Sequence, residues 1–307
     1  MLSRIAESLF WIGRYLERAE DTCRILDVHL QILLEDPSVD QDGAALNLLQ
    51  VMGAPAPVEA DPISSAVVLR SLCYDIDSTC SIVTAISGAR EAARRARETI
   101  SIETWEAINT TWNDIKAGQL QNLRSATAFK FVRERCAVIS GVVDQTMSHD
   151  EGWHFLTLGR SLERADMTAR MILTAGAQGA WDSVLRGCGA HHAFVRTYGG
   201  ATSDRDAAEF LLLDRLFPRS VVYTLNQAER ALLELDQHHV ARAGFADEAL
   251  RLLGAARYSL EYGLPQQLLE GLSRRMADLQ RTCAQVSEAV TERYFAGALA
   301  ASWQGGK

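Results

Sequence analysis

GRYLERAEDTCRIL at residues 13–26 returns as GRSLERADMTARMI at residues 159–172, ungapped and at a constant offset of 146. Gly13 and Gly159, Arg14 and Arg160, Leu16 and Leu162, Glu17 and Glu163 are identical pairs, as are Arg18 and Arg164, Ala19 and Ala165, Thr22 and Thr168, Arg24 and Arg170. Glu20 and Asp166 keep the acid. Such a run of matches points to two related halves, 1–145 and 146–307, packed as a single compact unit. Two long copies are too few for a solenoid, so the expected architecture is an all-α, long-helix bundle with internal duplication of a multi-helix unit. A fainter echo lays SVVYTLNQAERA at 220–231 beside SIVTAISGAREA at 81–92, an offset of 139.

The helical reading grows outward from the first copy. Leu2, Ile5, Leu9, Ile12, Leu16, Ala19, Cys23, Leu26, Leu30 and Leu33 alternate in spacings of three and four. That places them on one stripe of a long helix, with Arg14, Glu17, Asp21 and Arg24 off it. Pro37 and the Asp/Gly/Pro content of 36–63 end this helix and leave room for a short one at 44–51. From residue 63 to 217 there is no proline, and the composition favours long helices over strands. Expected helices cover 64–97, a segment from Ser101 with its capping chemistry, 120–147 and 153–174. The loop YGGATSDRD at 198–206 precedes another, with Ser203 or Asp204 as its cap. Pro218 should start or kink a helix, and the last two occupy 245–262 and 265–297.

Composition narrows the function. Apolar residues make up 48% and charged residues 23%, and 31 Lys+Arg against 39 Asp+Glu give a formal charge of −8. This argues against a broad electrostatic grip on nucleic acid or anionic lipid. Charges interrupt every apolar run well before the roughly 18 residues of a membrane span. Arg4 and Glu7 interrupt what would be the core of a signal peptide. The cysteines at 23, 73, 80, 136, 188 and 283 form no Cys-x-x-Cys pair and read as free core thiols of a cytoplasmic protein.

The repeat also repeats charge. Arg14 and Glu17 are three apart, as are Arg160 and Glu163; Glu20 and Arg24 are four apart, as are Asp166 and Arg170. One reading is an ion-pair ladder on a helix surface. The other is a polar network or site where the copies meet, built from Arg14, Glu17, Arg18, Glu20 and Arg24 with Arg160, Glu163, Arg164, Asp166 and Arg170. Gly13 and Gly159 favour close approach there, because glycine inside a helix costs about 1 kcal/mol relative to alanine. In AREAARRARE, Arg90, Arg94 and Arg97 share a helical face that suits a phosphate or an acidic partner, or internal pairing with Glu91, Glu98, Glu103 or Glu106. The offset of 139 sets Glu229, Leu233 and Asp236 opposite them, so only one half carries this face.

Other chemistry is poorly served. A dimetal-carboxylate centre on Glu17 and Glu163 needs two Glu-x-x-His motifs, and only Glu151 with His154 supplies one. His149, Asp150, Glu151 and His154 cluster at a helix break, while His191 with His192 and His238 with His239 are adjacent and diverge on a helix. No phosphate loop, dinucleotide fingerprint or zinc-protease helix is present. No metal and no cofactor is expected. Trp105 and Trp112 read as core anchors, and Trp11, Trp153 and Trp181 as interhelical packing.

FWIGRYLERAEDTCR at 10–24, AREAARRARETISIETWEAIN at 89–109, GRSLERADMTAR at 159–170 and FPRSV at 217–221 resemble the alpha-E domain family of bacterial proteins, along nearly the whole chain. The resemblance implies an all-helical protein encoded beside, or fused to, a circularly permuted ATP-grasp protein, often with a transglutaminase-like protease nearby. It carries over the ten Arg and acidic residues of the two copies, together with Arg90, Glu91, Arg94, Glu98, Glu103, Trp105, Glu106 and Asn109. This chain departs at Ala92, where the family usually has Asn. It departs again at 77–82, where an Asn-Pro-Ser-Ser-Ile-like element is usual and DSTCSI stands. The function implied is a helical accessory or scaffold partner of an ATP-grasp amide-bond-forming system, presenting the Glu17 and Glu163 region or the 90–97 face. The alternatives are a catalytic or substrate-binding subunit of that system using the paired Glu and Arg residues, and a stand-alone structural protein.

Overall fold

The computed structural model describes residues 1–55, 63–175, 179–199, 203–236 and 247–296. The described residues are helical and contain no strand. Helix α1 (Ser3–Glu35) is 33 residues long, roughly 50 Å at 1.5 Å per residue. It is followed by α2 (Gln41–Met52), α3 (Ser65–Leu69), α4 (Ile82–Arg95), α5 (Ile102–Lys116) and α6 (Ser125–Thr146). The second copy of the repeat lies on α7 (Glu151–Ala175). After it come α8 (Trp181–Gly187), α9 (His191–Tyr198), α10 (Asp204–Leu213), α11 (Val221–Leu235), α12 (Glu248–Glu261), α13 (Pro265–Leu269) and α14 (Leu272–Val290).

Helices α1 and α7 pack against each other along their length and form the axis of the molecule. On one side α1 packs on α4 and α6, which α5 bridges; on the other α7 packs on α11 and α14, which α12 bridges. The entry into α4 and the entry into α11 are built alike. Ser81 Oγ accepts from Thr84 N at 3.1 Å, and Ser220 Oγ accepts from Tyr223 N at 3.1 Å, each satisfying a donor the first turn leaves open.

Several expectations need correction. The helix expected over 64–97 is interrupted. Helix α3 widens into a π-helical turn (Arg70–Tyr74), the chain turns at Asp75, whose carboxylate accepts from Asp77 N, and Ser81 starts a new helix. Asp75, Asp77 and Ser78 are turn formers, and their chemistry outweighs the proline-free composition. The expected helix over 265–297 splits at Gly271, which adopts φ +69°. Pro218, expected to start or kink a helix, lies in the turn just before α11 and its cap Ser220. Helices α8 and α9 had no counterpart in the sequence reading. The caps at Ser101 and Ser203 are as read. His238 and His239 lie outside the described residues.

The axis closes on two glycines. A Cβ on Gly13 would stand 2.1 Å from the carbonyl oxygen of Leu156, and one on Gly159 would stand 2.0 Å from that of Phe10. Backbone meets backbone at this crossing, and no side chain can yield. Gly13→Ala and Gly159→Ala are therefore expected to lower stability by about 1–3 kcal/mol or more through overpacking, despite alanine's better helix propensity. Gly141→Ala in α6, where a Cβ meets nothing within 4 Å, should gain up to about 1 kcal/mol. Urea denaturation of the three variants tests both signs.

Candidate functional site

The two repeated glutamates face each other's helices. Arg14 Nε donates to Glu163 Oε2 at 2.6 Å, and Arg18 donates to the same carboxylate through Nε at 2.5 Å and Nη2 at 3.1 Å. Reciprocally, Arg164 donates to Glu17 through Nε at 2.5 Å and Nη2 at 2.7 Å, and Arg219 Nη1 joins it at 3.0 Å. Glu17 and Glu163 are 2% and 1% exposed. The within-helix pairing of Arg14 with Glu17 and of Arg160 with Glu163 is thus replaced by pairing across α1 and α7. The expectation that Arg14, Glu17 and Asp21 lie away from the packed face is corrected too: all three are buried. The cause is that α7 covers that face.

The outer turns keep their local pairs. Arg24 donates to Glu20 through Nη2 at 2.7 Å and to the carbonyl of Gly187 at 2.9 Å. Arg170 Nε donates to Asp166 at 2.8 Å and its Nη1 donates to the carbonyl of Val51. Arg160 stands apart: it makes an ion pair of 3.5 Å with Asp144 and acts on Glu17 through its field without a direct ion pair.

Arg219 is the member that the site reading missed. It sits in a turn fixed by four local hydrogen bonds. Asp214 Oδ1 accepts from Leu216 N and Phe217 N, Ser220 Oγ donates to the Asp214 carbonyl, and the same hydroxyl caps α11. The turn delivers a nearly buried guanidinium to Glu17, to Glu20 at 2.5 Å and to Asp21. Its only sequence signal is its place between Pro218 and Ser220 in FPRSV, a rigid entry to a helix. At the offset of 139 the first half has Cys80 instead, and at the offset of 146 Met167 stands opposite Asp21. An arginine and its acid in one half are replaced together by a thiol and a thioether in the other. Cys80 Sγ donates to the Met52 carbonyl at 3.3 Å, and a cavity of about 230 Å³ opens there, lined by Arg14, Arg18, Cys80, Glu163, Asp166 and Arg170 among others.

Electrostatics follow from this geometry. Burial pushes the Glu17 carboxyl up, but Arg164 and Arg219 outweigh it and hold it at about 2. Burial likewise raises Glu163, and Arg14 and Arg18 bring it down to about 2. Asp21 goes the other way. Burial with Glu17 and Glu20 nearby lifts it to about 7 against the pull of Arg219, and its Oδ2 has no partner. Burial also raises Asp166, opposed by Arg170. Carboxylates held near 2 and engaged on both oxygens take up no proton near neutrality, so Glu17 and Glu163 are unsuited to acid–base work. Among the described residues no three His, Cys, Asp or Glu side chains gather in a metal-binding group. No described helix is long and apolar enough to cross a membrane.

The second candidate face lies on α4 and α5. Arg90 donates to Asn109 Oδ1 at 3.1 Å and to Glu91 at 2.5 Å, and Arg94 donates to Glu91 at 2.9 Å. The guanidiniums of Arg90 and Arg97 lie 5.8 Å and 5.2 Å from the centre of the Trp105 ring. Glu103 and Glu106 are exposed and do not join these pairs. Trp105 and Trp112 are half-buried against the core.

Glu163→Gln would leave Arg14 and Arg18 around a neutral amide. A cost of about 3–5 kcal/mol is expected in urea denaturation at pH 7, and the same for Glu17→Gln. Arg94→Ala, whose side chain is 59% exposed, should change stability by less than about 1 kcal/mol. The two glutamates have folded values below their ordinary 4.5. Their contribution is therefore complete above about pH 4.5 and is lost as pH falls toward 2. Asp21 has the opposite sign. Its folded value lies above its ordinary 3.8, so its contribution weakens as pH rises from about 4 to about 7. Comparing Asp21→Asn with the wild type at pH 5 and pH 8 should show the variant gaining relative stability at the higher pH.

Comparison with known proteins agrees with this construction. An uncharacterised protein of Mycobacterium bovis is 27% identical over 310 residues, covering 90% of this chain and 34% of the relative. One of Mycobacterium tuberculosis is 26% identical over the same span and shares. The chain thus spans about a third of the length of the curated relatives it matches. No solved structure matches it. The family model matching residues 1–295 is described as a predicted alpha-helical domain with a conserved ER motif. The Glu-Arg dipeptide stands in both copies of the repeat, at Glu17 with Arg18 and at Glu163 with Arg164, the residues that exchange ion pairs across the axis. The chain belongs to the Alpha-E family.

Proposed function

We propose that this chain is a non-catalytic helical partner of a circularly permuted ATP-grasp protein in an amide-bond-forming system. The observation that carries the proposal is the saturation of the repeated acids. Glu17 and Glu163 are buried, ionised and bound on both oxygens, which suits a rigid scaffold and takes both glutamates out of acid–base work. The length of the mycobacterial relatives supports the same reading, because a module matching a third of a longer chain is placed to work beside further domains. A catalytic role for the paired Glu and Arg residues would require breaking the lattice first, which weighs against it.

In this reading the two halves, 1–145 and 146–307, arose by duplication of one helical unit. The matched caps at Ser81 and Ser220 and the like packing around α1 and α7 support it. The partner-facing surface is the asymmetric one. Arg94 and Arg97 are exposed at the end of α4, and Arg90 and Arg97 sit by the Trp105 ring, so the face offers guanidiniums and an aromatic edge to an acidic surface. Co-purification with a tagged ATP-grasp protein encoded beside this chain tests the proposal. The wild-type chain is expected to be retained and the R90A/R94A/R97A variant lost, with unchanged helical circular dichroism. Absence of a complex with the wild-type chain would overturn the partnership, and undiminished retention of the variant would overturn the assignment of the face.

A further inference from the structure

A cavity of about 370 Å³ lies between α7 and α11, and Trp153, Thr157, Arg160, Ser161, Tyr223 and Gln227 are among the residues lining it. Two of the lining residues carry a buried polar atom with no hydrogen-bond partner among the described residues: Trp153 at its indole Nε1 and Thr157 at its hydroxyl, the latter residue only 5% exposed. A buried donor without an acceptor costs free energy, and a ligand that brings an acceptor satisfies it.

The corresponding place in the first half is filled. At the offset of 146, Thr157 and Ser161 stand opposite Trp11 and Tyr15; at the offset of 139, Gln227 stands opposite Gly88. The Trp11 and Tyr15 rings stack with centroids 5.3 Å apart, and Tyr15 lies so near Gly88 that a Cβ there would meet the ring at 2.9 Å. The guanidiniums of Arg14 and Arg18 lie 5.5 Å from the Trp11 ring and 5.8 Å from the Tyr15 ring. Two large rings in one half have given way to two small hydroxyl side chains in the other, and the space has opened.

The same exchange released an arginine. In the first half Arg14 is spent on Glu163 and on Ser287 Oγ at 2.6 Å. Its counterpart Arg160 has no such task, because Arg219 has taken the second place on Glu17. Arg160 is left with the loose pair to Asp144, made without a hydrogen bond, and a planar set of donors at the cavity wall. A cation with unspent donors and two residues that carry unpartnered buried polar atoms, Thr157 and Trp153, therefore line one cavity.

We infer that this cavity binds a small ligand through an oxyanion, a carboxylate or a phosphate, received by Arg160 with Thr157 Oγ1 and Trp153 Nε1 as further donors. Arg164 stays on Glu17 and supplies only its field. Asp144 is the competing anion, and its exposed carboxylate turns to solvent when the ligand enters.

The indole N–H of Trp153 reports directly on this site. In an ¹⁵N-labelled full chain its resonance is assigned by Trp153→Phe, then followed during titration with sodium acetate, sodium phosphate or glycinamide hydrochloride at constant ionic strength. Acetate or phosphate is expected to move it downfield saturably, leaving the Trp105 and Trp112 indoles in place, and the anion that saturates first names the head group. Arg160→Gln should weaken the response roughly tenfold or more, through loss of a charge-assisted contact. Thr157→Val, nearly isosteric and outside the ion-pair lattice, should weaken it roughly threefold or more through loss of one hydrogen bond, and it decides the matter should Arg160→Gln not fold. No saturable shift with either anion up to tens of millimolar would overturn the site. So would a response undiminished in Thr157→Val, or one produced by glycinamide alone, which would assign the cavity to cations at Asp144.

Discussion

A carboxylate shut away from water stays ionised only beside a cation that comes with it, and here each central helix holds its glutamate against the other helix's arginine. Glu17 on α1 depends on Arg164 of α7, and Glu163 on α7 depends on Arg14 and Arg18 of α1. Neither helix can bury its own acid alone. The exchange is made possible by Gly13 and Gly159, where the two backbones meet. A bulkier pair at the crossing would hold the helices apart and carry the carboxylates out of reach of the guanidinium forks. Apolar side chains of similar volume would give comparable stability, so the value of such a network lies more in register than in net energy. Sliding α7 by one turn along α1 would strand buried charges at both ends, whereas a slide of purely apolar faces would cost only packing.

Register at the axis carries the rest of the bundle with it. Helices α4 and α6 lean on α1, α11 and α14 lean on α7, and each set is bridged by one further helix. The departures from symmetry come in compensated pairs. Arg219 and Asp21 in one half face Cys80 and Met167 in the other, so the arginine and its acid are present together or absent together. Losing Arg219 alone would leave Glu17, Glu20 and Asp21 with one cation fewer in a buried site. Asp21 shows how narrow the balance is, for even with Arg219 beside it one oxygen has no partner and burial lifts its titration toward neutrality.

Much of this was legible in the sequence, and the remainder was not for definable reasons. The repeat, the stripe of α1, the two glycines and the serine caps each leave a local signature, because helix periodicity and capping depend on neighbours three and four residues away. Burial of the charged residues leaves none. Arg14, Glu17, Asp21 and Arg24 have the spacing of an exposed ion-pair ladder, and the same spacing serves a face covered by α7. Only the partner helix decides, and it lies some 146 positions away. Arg219 was hidden for a related reason: it stands on a turn outside both copies, so comparing the copies with each other could not reach it. The break at residues 75–81 was written in Asp75, Asp77 and Ser78 but was outweighed by the absence of proline, a weaker signal than turn-forming side chains.

The distribution of constraint bears on where chemistry can reside in such a molecule. A single substitution inside the crossed lattice leaves a buried charge short of a partner. Positions there hold the halves in place and are poorly placed to acquire a ligand. Positions just outside it are free of that demand where a neighbour fills the role, as Arg219 does at Glu17 while Arg160 pairs only with Asp144. Trp11 and Tyr15 against Thr157 and Ser161, or Arg90 and Arg94 against Glu229 and Leu233, are differences of this second kind. The residues that the two copies of the repeat share thus maintain the axis, and the residues that differ around them carry the donors that the lattice leaves uncommitted.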